Sequence, residues 1–228
     1  LLANFGIPIR TRANNYIKGF VESRQTIVLQ VDTNFVKQFK RLPLVQNVSA
    51  LMYGFEGYYE NLDYMFNPTR GFEMRASFQV GNKKIKPSTS ILNLERPGTF
   101  PYSTLYDSIK TKSLQMQVKW LMNSYIPLSA RNIVKFGFQG QAIINNNNIQ
   151  QNELLRIGGN KILRGFDEES IFVAQYALAT LEYRFILEQN SYLYTFFDAG
   201  YTGRKNNGIY EKDFPFGFGA GMAFETKA

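Results

Sequence analysis

The sequence predicts an all-β protein, an antiparallel transmembrane β-barrel with a long loop folded into its lumen. Three observations carry this reading. Segment after segment alternates apolar and polar residues with period two. The connections between segments alternate long and short. The apolar face is built of Phe, Met, Leu and Trp, whereas the other face carries Gln, Arg, Lys and Glu. A membrane barrel unites these features, because alternate side chains meet lipid and the rest face a wet interior.

The elements follow in order. Weak alternation occupies 26–32 and 48–59. Residues 71–80 are clearest: Phe72, Met74, Ala76, Phe78 and Val80 oppose Glu73, Arg75, Ser77 and Gln79. A helix would instead space its apolar residues three and four apart. In 113–122, Leu114, Met116, Val118, Trp120 and Met122 oppose Ser113, Gln115, Gln117 and Lys119. In 133–144, Val134, Phe136 and Phe138 oppose Lys135, Gly137 and Gln139. The same alternation fills 173–187, weakens in 192–202 and returns in 216–227, where Phe216, Phe218 and Met222 alternate with Gly217, Gly219 and Gly221. These glycines do not form a dinucleotide fingerprint, because no helix follows them. No amphipathic helix is predicted.

The connections run 33–47, 60–70, 81–112, 123–132, 145–172, 188–191 and 203–215, and the first, third, fifth and seventh are the longer ones. Outer-membrane barrels have short periplasmic turns and longer extracellular loops. The turn at Asn67-Pro68-Thr69-Arg70-Gly71 is therefore expected on the periplasmic side, and the loop holding Arg164 at the cell surface. A barrel of about eight strands has an interior that only just holds its own side chains. An inward-folded loop needs more room, so the chain is expected to be part of a larger barrel.

Composition excludes other classes. With 228 residues the chain can build a sizeable core. No apolar run approaches the ~18 residues of a transmembrane helix. There is no His and no Cys, which removes a Ser-His-Asp site, a His-based zinc site and thiol chemistry. No catalytic residue, metal site or cofactor is expected. The formal net charge of +8 is scattered through strands and loops, so nucleic acid is not an expected partner.

One stretch stands apart. Gly158-Gly159, a short spacer and Leu163-Arg164-Gly165-Phe166 lie in the long connection 145–172, and the next two strands carry Glu182 and Asp198 on their polar parity. Taken alone, Arg164 is a solvated loop residue and Glu182 a solvated charge. Taken together, a guanidinium that bonds carboxylates bidentately has two inward partners. Gly158, Gly159 and Gly165 permit backbone geometry closed to other residues. Phe166 can pack on inner-wall aromatics such as Tyr176 or Phe196.

These motifs resemble those of the BamA/TamA-type outer-membrane assembly family, which includes the transporters of two-partner secretion. The loop motif is accompanied in order by Asn67-Pro68-Thr69-Arg70-Gly71-Phe72, Thr180-Leu181-Glu182-Tyr183-Arg184, Phe196-Phe197-Asp198-Ala199-Gly200 and the alternating glycines of 216–224. The resemblance covers roughly 48–228. It implies a barrel of about sixteen strands in the bacterial outer membrane, with residues 1–228 as a C-terminal portion of the barrel and POTRA domains upstream. It further implies a non-enzymatic role in inserting or translocating proteins. The partners would be outer-membrane lipids, unfolded outer-membrane or secreted proteins, and accessory lipoproteins or periplasmic proteins. A passive porin is the alternative. It leaves the Gly-Gly and Leu-Arg-Gly-Phe motifs unexplained.

Overall fold

The computed structural model describes residues 2–8, 15–98, 100–107, 109–147, 149–206 and 209–224. Period-two alternation becomes a ten-stranded antiparallel sheet. Its strands are β1 (Leu2–Pro8), β2 (Tyr16–Thr26), β3 (Asn47–Leu62), β4 (Gly71–Lys86), β5 (Lys112–Pro127), β6 (Asn132–Asn145), β9 (Gln175–Glu188), β10 (Ser191–Asn206), β11 (Ile209–Asp213) and β12 (Phe216–Ala223). Each pairs with its predecessor in that order, except that β11 and β12 follow one another along β10. The break between them falls at Phe214-Pro215. Proline has no N–H to give a ladder, and its carbonyl here accepts from the Gly200 N–H at 2.9 Å. The two short strands β7 (Leu155–Ile157) and β8 (Ile171–Val173) form a separate hairpin within the β6–β9 connection.

Register makes the two faces explicit. One cross-strand row runs Tyr59, Met74, Met122, Phe138, Ala179, Ala199 and Phe216. It belongs to the outward face, where Phe55, Phe78, Phe136 and Phe218 are also exposed. The adjacent inner row runs Glu73, Asn123, Gly137, Thr180, Asp198 and Gly217. Trp120 sits on the outward face, stacked near Phe138 and covering Gly140.

The sheet curls strongly. The side-chain amide of Asn67, in the β3–β4 turn, donates to the carbonyl of Gln189 in the β9–β10 turn at 2.9 Å, although β5 and β6 separate those hairpins. At the other end the Gln151 N–H donates to the carbonyl of Leu44, and Asn152 donates to that of Gln46. There Lys83, buried near the end of β4, pairs with Glu153.

Three expectations need correction. The first strands are not at 26–32: β2 ends at Thr26, and β1 precedes it. Ile17 and Val21 are exposed in β2, but Gly19 and Ser23 share their parity and Phe20 falls on the polar one, which weakens the periodicity. Helices do occur. Helix α1 (Thr33–Phe39) begins where the Asp32 carboxylate accepts from the Phe35 N–H and ends at Lys40 with φ 51°. With α2 (Thr89–Leu92) and a 3-10 turn at Tyr102–Tyr106 it buries Val36, Ile91, Tyr102 and Tyr106 as a small apolar cap over the long-loop end. These pieces are too short for helical periodicity to register. Finally, 203–215 is not a loop. Strand β10 runs to Asn206 and pairs with β11, held by the Arg204–Glu211 pair and the Tyr201, Tyr210 and Gln175 contacts.

Candidate functional site

The wall of the site follows from strand parity. Glu182 in β9 lies opposite Phe196 in β10, and Asp198 lies opposite Thr180. The two carboxylates are therefore diagonal neighbours on one face. Both are almost fully buried. Isolated buried carboxylates would be costly, so they need cationic partners.

The loop supplies one. It leaves the β7–β8 hairpin through Gly158 (φ 115°) and Gly159 (φ 90°), both in the region that favours glycine. A Cβ on Gly158 would lie 2.4 Å from the Asp167 carbonyl. The Gly159 N–H donates to the Phe166 carbonyl at 3.1 Å, and Gly159 bridges to Leu163. The segment between them thus forms a closed ring. Leu163 is fully buried with Ile157, Val173, Tyr176 and Leu178, and Phe166 packs on this cluster. The apolar side chains hold the loop to β9, leaving the next residue to face the carboxylates.

Arg164 is the residue so placed. Its Nε donates to Asp198 Oδ2 at 2.7 Å and its Nη2 to Asp198 Oδ1 at 2.7 Å, a bidentate fork. Its Nη1 donates to Glu182 Oε2 at 2.5 Å. The backbone N–H of Arg164 also points to Asp198 Oδ2, at 3.3 Å. Below the guanidinium lies the Phe196 ring, 3.7 Å from Cζ. Gly165, with φ 93°, turns the chain onward. The close approach needs a second glycine on the wall: a Cβ on Gly217 would lie 1.9 Å from the Arg164 carbonyl oxygen. A polar crevice remains between loop and wall, bordered by Asn123, Lys135 and Lys161.

A second arginine completes the network. Arg184, on the same face of β9 as Glu182, donates from Nε to Glu182 Oε1 at 2.7 Å. Its Nη1 donates to Asn67 Oδ1 at 3.2 Å. Tyr192 and Tyr125 place their rings 4.7 and 5.2 Å from its Cζ. Two guanidiniums thus bond two carboxylates, and Lys135 of β6 lies directly opposite Glu182. The i, i+2 spacing of Glu182 and Arg184 on one strand was available in the sequence as a signal for this pair. The Gly217 approach and the Lys83–Glu153 contact had no local signal.

The turn residues divide. Asn67 and Pro68 are buried, and Asn67 joins the network. Gly71 has φ 114°. The Arg70 backbone closes the turn: its N–H donates to Asp63 Oδ1 at 3.0 Å and its carbonyl accepts from the Asp63 N–H. The Arg70 side chain is exposed. Thus Asn67 reaches the carboxylate network, whereas Arg70 serves the turn itself.

No curated protein matches this chain. A family model does. The Omp85 superfamily domain matches residues 3–227, nearly the whole chain and more than the 48–228 over which motifs are legible. The chain therefore belongs to the Omp85 superfamily of bacterial outer-membrane barrels, whose members insert or translocate proteins.

Proposed function

We propose that this chain is the C-terminal portion of the barrel of an outer-membrane protein-assembly or translocation component, preceded by POTRA domains in the intact protein. The long connection acts as an inward-folded element pinned by Arg164, narrowing the lumen and bracing the wall. The observation that carries this reading is the Arg164 clamp, three side-chain hydrogen bonds to Glu182 and Asp198. A passive porin leaves the Gly158-Gly159 and Leu163-Arg164-Gly165-Phe166 motifs unexplained. Substrates would be unfolded outer-membrane or secreted polypeptides, taken up through main-chain hydrogen bonds at a strand edge. Such templating requires no covalent chemistry, so we propose a non-enzymatic role. Accessory lipoproteins or periplasmic proteins would deliver the substrates.

The test is Arg164→Ala in the intact protein, reconstituted in lipid vesicles. Assembly or translocation of an unfolded outer-membrane substrate should fall, while the barrel stays folded by its heat-dependent gel mobility. Undiminished assembly together with long-lived open conductance in the unsubstituted protein would instead favour the porin.

A further inference from the structure

We infer that Asn67, in the short turn at the end of the strands opposite the loop, is a positioning residue for the Arg164 clamp. It acts through Arg184, which fixes the Glu182 carboxylate that the loop arginine binds. The inference rests on the reading of the loop as a pinned element, but not on the transported substrate.

The geometry divides one carboxylate between two cations. Glu182 gives Oε2 to Arg164 and Oε1 to Arg184. Two guanidiniums sharing a carboxylate repel each other, so each must be held to its own oxygen. Arg164 is held by the Asp198 fork. Among the described residues, Glu182 is the carboxylate that Arg184 bonds. The other hydrogen-bond partner of Arg184 there is the side-chain oxygen of Asn67, Oδ1, and the tyrosine rings confine it from the sides.

Asn67 is oriented for this task. Its amide nitrogen donates to the Gln189 carbonyl, an acceptor, so its oxygen is the atom left for Arg184. The turn is built to hold it. Asp63 accepts from the N–H groups of Tyr64, Thr69 and Arg70 and from the Thr69 hydroxyl. Pro68 is buried beside Asn67. The result is a continuous line from turn to loop: Gln189, Asn67, Arg184, Glu182, Arg164. Loosening the turn end frees Arg184 to move, and Glu182 then offers Arg164 an unfixed oxygen.

The experiment is hydrogen exchange by mass spectrometry on the intact protein in lipid nanodiscs. In Asn67→Ala, the peptide spanning 158–166 should exchange about tenfold faster, the scale of one lost hydrogen bond to a charged group. The peptide spanning 89–106, in the apolar cap, should be unchanged. Asn67→Asp keeps an acceptor for Arg184 and should retain the original loop protection. Unchanged loop protection in Asn67→Ala would overturn the inference. So would equal loss in Asn67→Asp and Asn67→Ala, because the Gln189 contact and not Arg184 would then be responsible. If Asn67→Ala does not assemble, Arg184→Lys carries the same test. One ammonium does not reproduce the fixed geometry by which Nε holds Glu182 and Nη1 holds Asn67, so faster exchange is expected and unchanged exchange refutes. Because the readout is loop protection, a failed substrate assay with a protected loop counts against the proposed function alone.

Discussion

Arg156 and Arg164 stand on the same connection, and each pairs with carboxylate, yet they differ in what they hold. Arg156 Nη1 lies 3.6 Å from Glu169 Oε2 across the small β7–β8 hairpin, with both side chains more than half exposed. Arg164 meets Glu182 and Asp198 on two strands of the wall, with the carboxylates 5% and 2% exposed. One pair is local and wet, the other distant and dry. Exposed pairs contribute at most about 1 kcal/mol, because water and salt screen them. In a buried pair the loss of one partner strands the other, which costs about 3–5 kcal/mol. The lesson is that a loop arginine matters in proportion to the charge it would leave behind.

The comparison breaks most sharply at Arg164→Ala. Two carboxylates would then share the wall with Arg184 and, directly opposite Glu182 on β6, Lys135. We expect loss of protection throughout 158–166 and a destabilisation of the loop approaching the buried-pair range, discounted because Arg164 itself is 14% exposed. Arg164→Lys should recover little, since an ammonium cannot make the Asp198 fork. Protease nicking of the loop on intact cells reads the effect. Equal resistance in the variant and the parent would show that the apolar contacts of Leu163 and Phe166 hold the loop unaided.

Next in size is Gly217→Ala, which tests the same contact from the wall without touching a charge. The added methyl carbon would collide with the Arg164 carbonyl, a backbone atom that cannot rotate away. Overpacking of this kind costs about 1–3 kcal/mol. Gly219→Ala should be milder, because its Cβ would meet the Phe196 ring at 3.0 Å. Loop exchange rates in the two variants give the order, and a larger effect at Gly219 would argue against the close approach.

A smaller effect concerns the turn. Burial tends to raise the Asp63 pKa, but the Thr69 hydroxyl and the N–H groups of Arg70, Thr69 and Tyr64 outweigh it and hold the carboxyl below its ordinary value. A depressed folded pKa contributes stability that is complete above the unfolded value of about 4. That contribution disappears as pH falls through the lower folded value. The amide signals of Thr69 and Arg70 should therefore hold steady down to about pH 4 and shift below it. Asp63→Asn should remove that transition. A transition above pH 5 that survives Asp63→Asn would assign it to another group.

How much of this was readable from the chain depends on the range of the interaction. Alternation placed Phe78, Phe138, Glu182 and Asp198 on their faces, because parity is a local property of a strand. Positions 158, 159 and 165 required glycine for a backbone reason, and the sequence supplied it. What lay beyond reach was long-range. The Asn67–Arg184 contact joins residues 117 apart in sequence. Gly217 read as a plain strand glycine because its neighbour comes from another element. Helix α1 was hidden by its length, and β2 by Gly19 and Ser23 on its apolar parity and Phe20 on its polar one.

Arg156→Ala should change least, and the reason is visible in its surroundings. Its partner Glu169 is exposed, so losing Arg156 leaves a carboxylate that water solvates. Its other contact, the Phe172 ring at 5.1 Å, is a surface cation–π pair worth about 0.5–1 kcal/mol. The hairpin beneath it keeps the β7–β8 register and the buried Ile157 and Val173. Arg156→Ala should therefore lower stability by no more than about 1 kcal/mol. That loss should shrink as salt is raised from low to molar concentration, whereas the Arg164→Ala loss should persist. Salt dependence is the sharper discriminator, because screening acts on solvated charges and hardly on buried ones. If both variants lost their effect in high salt, the clamp would be a solvated contact like its neighbour, and the distinction between the two arginines would vanish.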